Sequence, residues 1–531
     1  MSSDSEKAKD ELQNEVDVHH VELKGNSELM REAFDAENRE HEMGVWEAAK
    51  LHPWACFWAF IMCFTIVMES FDMFLNGNFV ALDAFKEQYG VVVAGSIHKA
   101  IPTRWQSALF QAGQCGAFVG VFLAGPITNR IGYRWTTIIG LILMNATIFV
   151  SFFANSLALL TVGQALEGVP WGFFIANAPA YASEVVPLAL RGACTATLQM
   201  SWSIGSIIVA GATYAYNKRD DEWAWRAPLA LQWLFPTPLL ILIFLAPESP
   251  WWLIRRGRRD DALRSIKRLG KENSDEAHQA LAMIERTVKI EQEQGGSPTL
   301  LDLFKGTDLR RTTITCLMYA SQNFAGNLIA NQATFFFEQA GMSSERAFQL
   351  NLVNSCLQLV ANAVSWVLSA WFGRRTIYLW GTATNITLLM ILGVVASIEQ
   401  NVSTNYAQAS LGILISFVFA GTLGPTSYTI ISETSSVRLR ALSTGVGRAA
   451  YYVAEIPMIY LASQMLNTTG WNLAGKCGYV WGGTACVCWI MAYFFLPELK
   501  HRTYRETDIL FNRKVPARKF KSTVIGVDEN E

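Results

Sequence analysis

The stretch PWACFWAFIMCFTIVMESFDMFLN, residues 53–76, is 24 residues long and has only two charged side chains, Glu69 and Asp72. A helix needs about 20 mostly apolar residues to cross the hydrocarbon core of a bilayer, whereas a buried helix of a soluble protein typically has an apolar run of about 10 to 14. The length of this stretch therefore favours a membrane-spanning helix over a soluble core helix.

Eleven further stretches of similar length and apolarity follow along the chain. With 51% hydrophobic and only 17% charged residues among 531, the composition is too apolar for a soluble enzyme of this size. We therefore predict an all-α membrane protein with twelve transmembrane helices in two six-helix halves. The predicted spans, numbered 1 to 12, are 53–76, 105–127, 135–155, 157–181, 194–216, 227–246, 312–337, 347–370, 376–398, 407–431, 441–465 and 477–496.

Polar segments flank and divide the two halves. The acidic segment 1–52 has no early apolar run, so we expect a cytosolic tail without a cleavable signal peptide. Residues 247–311 separate the N-terminal half, 53–246, from the C-terminal half, 312–496. Mixed charge with helical periodicity in this linker predicts amphipathic helices at the cytoplasmic face, although a plain tether is the alternative. Residues 497–531 form the predicted cytosolic C-terminal tail.

The composition gives no indication of a bound metal, a cofactor or a nucleic-acid partner. The formal net charge is −2, and the nine cysteines lie mainly inside apolar spans, where they act as small apolar residues. The chain has no phosphate-binding loop of the G-x-x-x-x-G-K-[ST] type, which argues against an ATP-driven pump. We therefore predict no bound cofactor or metal.

The distribution of Lys and Arg predicts the orientation in the membrane. Basic residues cluster in the loops after spans 2, 6, 8 and 10, and basic loops near helix ends stay in the cytoplasm. Both termini are therefore predicted to be cytoplasmic. Two opposite loops contain glycosylation patterns, at Asn401-Val-Ser403 and Asn467-Thr-Thr469, which would be accessible outside the cell.

The two halves contain matching residues at nearly constant offsets. Gly132 matches Gly373, Glu184 matches Glu433 and Pro247 matches Pro497, at offsets of 241, 249 and 250 (373−132, 433−184, 497−247). Parallel repeats of this kind occur in transporters whose substrate sits between the halves near the membrane midplane.

Six short motifs stand at the ends of the predicted spans. They are GPITNRIGYR at 125–134, YASEVVPLALRG at 181–192, PESPWWL at 247–253, GRR at 373–375, ISETSSVRLR at 431–440 and PELKHRTYRE at 497–506. Together they resemble the motifs of the sugar porter family of the major facilitator superfamily. The resemblance implies a secondary active transporter, not an enzyme, that works as a monomer in the plasma membrane, is driven by the proton gradient and moves a small sugar by alternating access.

Charged residues of these motifs lie at the predicted cytoplasmic helix ends, where acids and guanidinium groups pair between neighbouring helices. The family implies a gate that latches the two halves on the inside, whereas simple anchoring at the headgroups is the alternative. Asn129 and Ala370-Trp371 depart from the family's acidic and Asp-Arg positions. The predicted gate residues are Arg130, Arg134, Glu184, Arg191, Glu248, Arg374, Arg375, Glu433, Arg440 and Glu498.

Four charged residues inside the spans are candidates for proton coupling: Glu69, Asp72, Glu167 and Arg448. A charge at mid-bilayer costs about 2.5–3.5 kcal/mol on insertion scales, so each needs a reason to be there. Burial disfavours the charged form of a carboxyl group, which suits an acid that exchanges a proton. A static buried ion pair with Arg448 is the alternative.

The resemblance places Asp72 at the proton-carrying aspartate of proton-linked sugar porters. The family's partner arginine in span 4 is replaced by Gln164, so the usual Asp-Arg switch cannot operate unchanged. Together with TFFFEQAG at 334–341 and VGRAAYY at 446–452, the span 1 pattern looks most like the fungal maltose and other alpha-glucoside permeases.

Amide and aromatic side chains suit a sugar, which presents hydroxyl groups and an apolar ring face. By resemblance, the candidates for sugar binding are Gln199, Gln322, Asn323, Asn327, Gln358 and Tyr428, with helix–helix hydrogen bonding as the alternative for each. Glu69 stands where monosaccharide porters commonly have an aromatic residue, which favours a larger sugar. We therefore predict proton-coupled uptake of maltose or another alpha-glucoside; a hexose porter or facilitator and a sugar sensor are the alternatives.

Overall fold

The computed structural model describes residues 45–92, 99–270, 274–293, 300–325, 331–436, 439–500, 502 and 504–523. Helices dominate these residues, and their arrangement confirms the predicted all-α fold. The strands Val91–Val92 and Lys99–Ala100 form a small antiparallel sheet in which Val91 pairs with Ala100 and Val92 with Lys99. This sheet lies in the connection between spans 1 and 2.

The N-terminal half contains six spans, of which the sixth is interrupted. Spans 1 to 6 are Pro53–Phe79, Thr103–Ile131, Tyr133–Phe152, Leu157–Val185, Leu188–Tyr216, and the pair Trp223–Leu231 and Pro236–Leu245. The predicted span 227–246 is present over Trp223–Leu245, and a 3-10 turn, Gln232–Leu234, separates its two parts. Pro236 explains the break, because a proline lacks the amide hydrogen and clashes with the carbonyl group four residues earlier.

The C-terminal half has two interrupted spans. Spans 7 to 12 are the pair Gly306–Phe324 and Ala333–Gln339, then Ser344–Trp371, Arg374–Ser397, the pair Val402–Val418 and Gly424–Thr434, Arg440–Leu466, and Cys477–Phe495. A π-helical turn, Phe419–Leu423, joins the two parts of span 10. Such turns are frequent at functional sites.

Nine of the helices in the described part are long and apolar enough to cross a membrane by length and composition. The spans outside this group are 5, 7 and 11. They carry Gln199, Gln322, Asn323 and Arg448, four of the residues predicted to bind sugar or protons. These polar side chains lower the apolarity of the three spans, and polar residues inside a membrane usually face the interior of the helix bundle.

The chain divides into two compact units, one of which holds residues 1–60, 181–192 and 246–297. Within it, the helices Pro250–Arg255, Arg259–Leu269 and Ser274–Glu293 pack against one another. The two longer helices bury their apolar side chains, among them Ala262, Leu269, Leu281 and Ile284. These are the helices that the charge pattern of the linker predicts.

The larger unit holds residues 61–180, 193–245 and 298–531, which include most of the transmembrane spans. The beginning of the C-terminal tail is folded in it: the helix Tyr504–Asn512 packs at the start of span 7. Arg311 forms an ion pair with Asp508 at 2.6 Å, and its guanidinium group lies 4.5 Å from the centroid of the buried Phe511 ring.

The two predicted glycosylation patterns have different environments. Asn401 is exposed at the start of span 10. Asn467 is buried, and its Nδ2 donates hydrogen bonds to the carbonyl oxygen of Ile101 at 3.0 Å and to the side chain of Gln106. A glycan would have to attach to that same nitrogen, so the prediction is wrong for Asn467 in this fold.

Candidate functional site

Asp72 and Glu167 form a carboxyl pair inside the N-terminal half. Asp72 lies on span 1 and Glu167 on span 4, and both side chains are almost fully buried. Their carboxyl groups are within hydrogen-bonding contact of each other. Two carboxylates in contact repel each other strongly, whereas a pair that shares one proton forms a hydrogen bond. This pair can therefore hold a proton.

Neutral donors complete the surroundings of the carboxyl pair. The Trp171 indole nitrogen donates to Asp72 Oδ2 at 2.9 Å, and Gln232 donates to the other oxygen of Asp72. Gln164 Nε2 donates to Glu167 Oε2 at 2.9 Å, and Ser151 donates to Glu167 Oε1. Gln164, which replaces the family's arginine, thus positions Glu167, and among the described residues no Lys or Arg side chain pairs with either carboxyl group.

Glu69, Arg448 and Glu455 form a second group of buried charges, here called the arginine group. Arg448 and Glu455 lie on span 11, seven residues or about two turns apart, and both act electrostatically on Glu69 of span 1. The Tyr451 hydroxyl donates to Glu455 Oε1 at 3.1 Å. With two acids and one base, the group carries an excess negative charge when all three residues are ionised.

Tyrosines surround the guanidinium group of Arg448. It lies 4.4 Å from the Tyr451 ring centroid and 5.0 Å from that of Tyr452, distances typical of cation–π contacts. Arg448 Nη1 donates to the Tyr428 hydroxyl at 3.4 Å. Within the described residues, its polar contacts are thus with tyrosines rather than with a carboxylate, which argues against a direct Glu69–Arg448 ion pair in this conformation.

The arginine group has unused hydrogen-bonding capacity. Among the described residues, Glu69 Oε2, Glu455 Oε2, Arg448 Nε and the Tyr452 hydroxyl are buried without a hydrogen-bond partner. Leaving a buried polar atom unpaired costs about 1–3 kcal/mol. A ligand with several hydroxyl groups would provide the missing partners.

The predicted sugar-binding residues of span 7 lie beside this group. Asn323 Nδ2 donates to the carbonyl oxygen of Tyr451 at 3.3 Å, and Asn323 Oδ1 has no partner among the described residues. Gln322 is also buried, and its Nε2 has no hydrogen-bond partner among the described residues. Tyr428 meets Tyr319 edge to face at 5.9 Å and contacts Arg448. Asn327 lies outside the described residues.

Gln199 and Gln358 lie along the seam between spans 5 and 8. Two hydrogen bonds define this seam: Ser206 with Ser355 at 2.8 Å, and Asn362 Nδ2 to Ser203 Oγ at 2.6 Å. Gln358 is between Ser355 and Asn362 on span 8, and Gln199 is one turn before Ser203 on span 5. Both glutamines are half-buried, so their amides remain accessible to a ligand.

Gate residues of the C-terminal half form a compact network. Arg374 Nη2 donates to Glu433 Oε1 at 3.0 Å, and the Arg374 backbone amide donates to Glu498 Oε1 at 2.9 Å. Arg375 donates to the carbonyl oxygen of Tyr493 at 2.8 Å. The network ties the start of span 9 to the ends of spans 10 and 12. The side chain of Arg440 lies outside the described residues.

In the N-terminal half, Glu184 is the centre of the gate residues. It accepts hydrogen bonds from Arg255 Nη1 at 3.0 Å and from the Ser249 hydroxyl, and Glu248 Oε1 accepts from the Ser249 amide at 3.0 Å. Elsewhere in the half, Arg134 donates to the carbonyl oxygen of Phe244 and stacks on its ring. Arg130 is exposed on span 2, and the side chain of Arg191 lies outside the described residues.

Sequence reasoning missed four residues of the two buried groups: Trp171, Gln232, Ser151 and Glu455. The signal for Glu455 was present, because a second charged residue two turns from Arg448 lies on the same helix face. Gln232 gives no signal in the sequence, since it lies at the turn inside span 6, and apolar length does not reveal such a turn.

Comparison with known proteins identifies the family. Residues 58–511 match the family model described as "Sugar (and other) transporter". The chain belongs to the sugar transporter family. It is therefore a membrane transporter and not an enzyme.

Two relatives of this transporter come from Saccharomyces cerevisiae. A maltose permease is 35% identical over 505 residues, which cover 94% of this chain and 82% of that protein. A general alpha-glucoside permease is 35% identical over 501 residues, which cover 93% of this chain and 81% of that protein.

Solved structures confirm the major facilitator fold of the transporter. The proton:xylose symporter XylE, solved with 6-bromo-6-deoxy-D-glucose bound, has a TM-score of 0.70 at 18% identity, covering 86% of this chain and 99% of that one. The inward-open conformation of XylE from E. coli has a TM-score of 0.68 at 17% identity, covering 85% and 98%.

Proposed function

We propose that this transporter takes up maltose or another alpha-glucoside together with protons, by alternating access across the plasma membrane. The observation that carries the proposal is the contact between the Asp72 and Glu167 carboxyl groups, next to an arginine group with unpartnered polar atoms. In this proposal both termini are cytoplasmic, and the protein acts as a monomer.

The carboxyl pair supplies the proton site. One proton shared between Asp72 and Glu167 holds spans 1 and 4 together. Separation of the two groups, or entry of water, favours loss of that proton because the isolated carboxylates become hydrated. Gln164 keeps Glu167 in place through both states, in the role for which other sugar porters use an arginine.

The arginine group supplies part of the sugar site. Its free carboxylate oxygens accept hydrogen bonds from sugar hydroxyls, while Gln322 and Asn323 both donate and accept. Tyrosine rings around Arg448 provide apolar faces for a sugar ring. The similarity to maltose and alpha-glucoside permeases over more than nine-tenths of the chain supports an alpha-glucoside as substrate.

The Arg374 network belongs to the inner gate in this proposal. Glu433 and Glu498 hold Arg374 at the inner end of the C-terminal half, where it is available to contact the other half when the inner side closes. Glu184 and Glu248 play the corresponding part in the N-terminal half.

Uptake in a yeast host without its own alpha-glucoside carriers tests the proposal. We expect accumulation of radiolabelled maltose above the external concentration, and alkalinisation of an unbuffered suspension when maltose is added. Maltose equilibration without alkalinisation would indicate a facilitator, glucose uptake unaffected by excess maltose would indicate a hexose porter, and signalling without flux would indicate a sensor.

A further inference from the structure

Hydrogen bonds join the two halves at the end of the spans where spans 1 and 2 are connected, here called the outer end. Asn78, at the end of span 1, accepts from Thr334 Oγ1 at 2.6 Å and from Asn351 Nδ2 at 3.2 Å. The hydroxyl groups of Thr103 and Thr469 are 2.6 Å apart. In this conformation the outer end is therefore held together by contacts that must break before a sugar enters from that side.

Two ion pairs also connect the halves at the outer end, and they differ in burial. Lys86, on the short helix Asp83–Tyr89, pairs with Glu338 of span 7, and these side chains are 13% and 21% exposed. Lys218 pairs with Glu345 at 2.8 Å, but these side chains are 68% and 49% exposed. An exposed ion pair typically contributes only about 0–1 kcal/mol, whereas breaking a buried pair costs more because it leaves a charge poorly solvated.

Glu338 belongs to the outer part of span 7, the helix Ala333–Gln339, which begins after a non-helical residue, Gln332. Thr334 and Glu338 are four residues apart and therefore lie on one side of this short helix. Both contact the N-terminal half, through Asn78 and Lys86. The outer part of span 7 is thus the segment of the C-terminal half that the partly buried ion pair holds.

Lys86 has a second carboxylate available on its own helix. Asp83 Oδ1 lies 3.4 Å from Lys86 Nζ, three residues earlier in the sequence, and its side chain is 68% exposed. If Glu338 moves away, Lys86 retains an acidic partner in a solvated position. The exchange of Glu338 for Asp83 lets the contact open without leaving a buried, unpaired ammonium group.

We propose that Lys86 and Glu338 form an ionic lock that holds the outer part of span 7 against the N-terminal half and thereby sets the fraction of molecules open to the outside. Glu338 of the TFFFEQAG motif has no role in the proposed sugar site or proton site, and the lock gives it one. The exposed pair Lys218–Glu345 does not share this function.

Thiol labelling measures the lock without any sugar. Ala333 is 4% exposed and lines a cavity of about 10 Å³ with Asn78 and Thr334, room for one water molecule at most. An impermeant thiol reagent therefore reaches Ala333→Cys only when the outer end opens. We expect Glu338→Gln and Lys86→Gln each to raise the labelling rate about tenfold, a usual size for coupling between two states, and Lys86→Glu combined with Glu338→Lys to lower it again.

Glu345→Gln is the matched control, and we expect it to change the labelling rate by less than about threefold. The same chain without Ala333→Cys corrects for native cysteines. An unchanged rate in the Glu338→Gln variant, an equal rise in Glu345→Gln, or a charge exchange that stays as open as the single variants would overturn the lock.

The labelling experiment assumes the proposed orientation, in which the outer end faces the external reagent. A second cysteine variant tests that orientation. Asp220 is exposed in the loop between spans 5 and 6, at the outer end. Asp220→Cys should react with the external reagent in every variant. If it reacts only in inside-out vesicles, the proposed orientation is wrong, and the rates at Ala333→Cys are then compared in those vesicles.

Discussion

The carboxyl pair and the arginine group are both buried among the spans and share span 1, yet their hydrogen bonding differs. All four carboxyl oxygens of Asp72 and Glu167 have partners, and among the described residues these partners come from the N-terminal half. In the arginine group, by contrast, both acids have an oxygen without a partner among the described residues, and the group draws on both halves.

This difference separates two tasks. The carboxyl pair has all its polar atoms paired without a ligand, so it needs only a proton to remain stable, and its contacts depend on the packing of spans 1, 3, 4 and 6. The arginine group has unpaired atoms, so a hydroxyl-rich ligand stabilises it, and such a ligand would contact residues of both halves. We therefore assign the proton to the carboxyl pair and the sugar to the arginine group, and four substitutions test this division.

Replacing Asp72 with Asn should have the largest effect, because it removes one of the two acids that share the proton while preserving the size of the side chain. We expect maltose accumulation to fall to simple equilibration, a loss of about tenfold for each unit of pH difference if one proton accompanies each sugar. Counterflow of maltose, which needs no net proton movement, should persist. Accumulation at the wild-type level would remove the carboxyl pair from coupling.

Glu69→Gln should weaken sugar binding while leaving coupling in place. A hydrogen bond to a charged group contributes about 1.5–3 kcal/mol, so the KM for maltose should rise at least about tenfold. Alkalinisation per maltose transported is the second measurement. If that ratio falls to zero and KM is unchanged, Glu69 belongs with the proton site and the division is wrong.

Glu455→Gln should have a smaller effect than Glu69→Gln, since one oxygen of Glu455 already accepts a hydrogen bond from Tyr451 and only the other is free for a sugar hydroxyl. We expect the KM for maltose to change about fivefold, in line with the loss of one buried charge interaction. Tyr451→Phe is the matched control, because it removes the hydrogen bond to Glu455 Oε1 but keeps the carboxyl group. An equal change in both variants would assign the effect to local packing.

Trp171→Phe should have the smallest effect. It removes the indole hydrogen bond to Asp72 and retains an aromatic ring, so the loss is that of one hydrogen bond to a carboxyl group that has other partners. We expect the initial rate of proton-coupled uptake to fall about threefold, with maltose counterflow unchanged. A drop in counterflow of the same size would point to a packing defect instead.

The sequence alone was enough to predict that Glu69, Asp72, Glu167 and Arg448 lie inside the spans, but not how they are grouped. Glu69 and Asp72 are three residues apart on one helix, and the sequence predicts a single set. The structure divides them, because the side chain of Asp72 accepts hydrogen bonds from spans 4 and 6, while Glu69 interacts electrostatically with Arg448 and Glu455 of span 11. A small rotation about a helix axis decides which neighbour a residue meets, and sequence spacing does not contain it.

Apolar length predicts the spans but not the interruptions inside them. Apolar length is a local property that any stretch of sequence displays, so spans 6 and 7 were recognised. The breaks at Gln232–Leu234 and before Ala333–Gln339 depend on which backbone groups find partners in neighbouring helices. The partners of Gln232 and Glu338 followed from those breaks and were missed for the same reason.

The amino-acid sequence by itself determined the twelve membrane spans, because a bilayer imposes a length and an apolarity on every crossing helix. Its motifs, by their resemblance to those of sugar porters, indicated a transporter. The sequence also determined the types of polar residue available to a sugar and a proton. The tertiary structure alone decided that a carboxyl pair, an arginine group and the contact between Lys86 and Glu338 exist as separate sites. Each joins residues from helices far apart in sequence, and only the packing of those helices brings the charges close enough to act on one another.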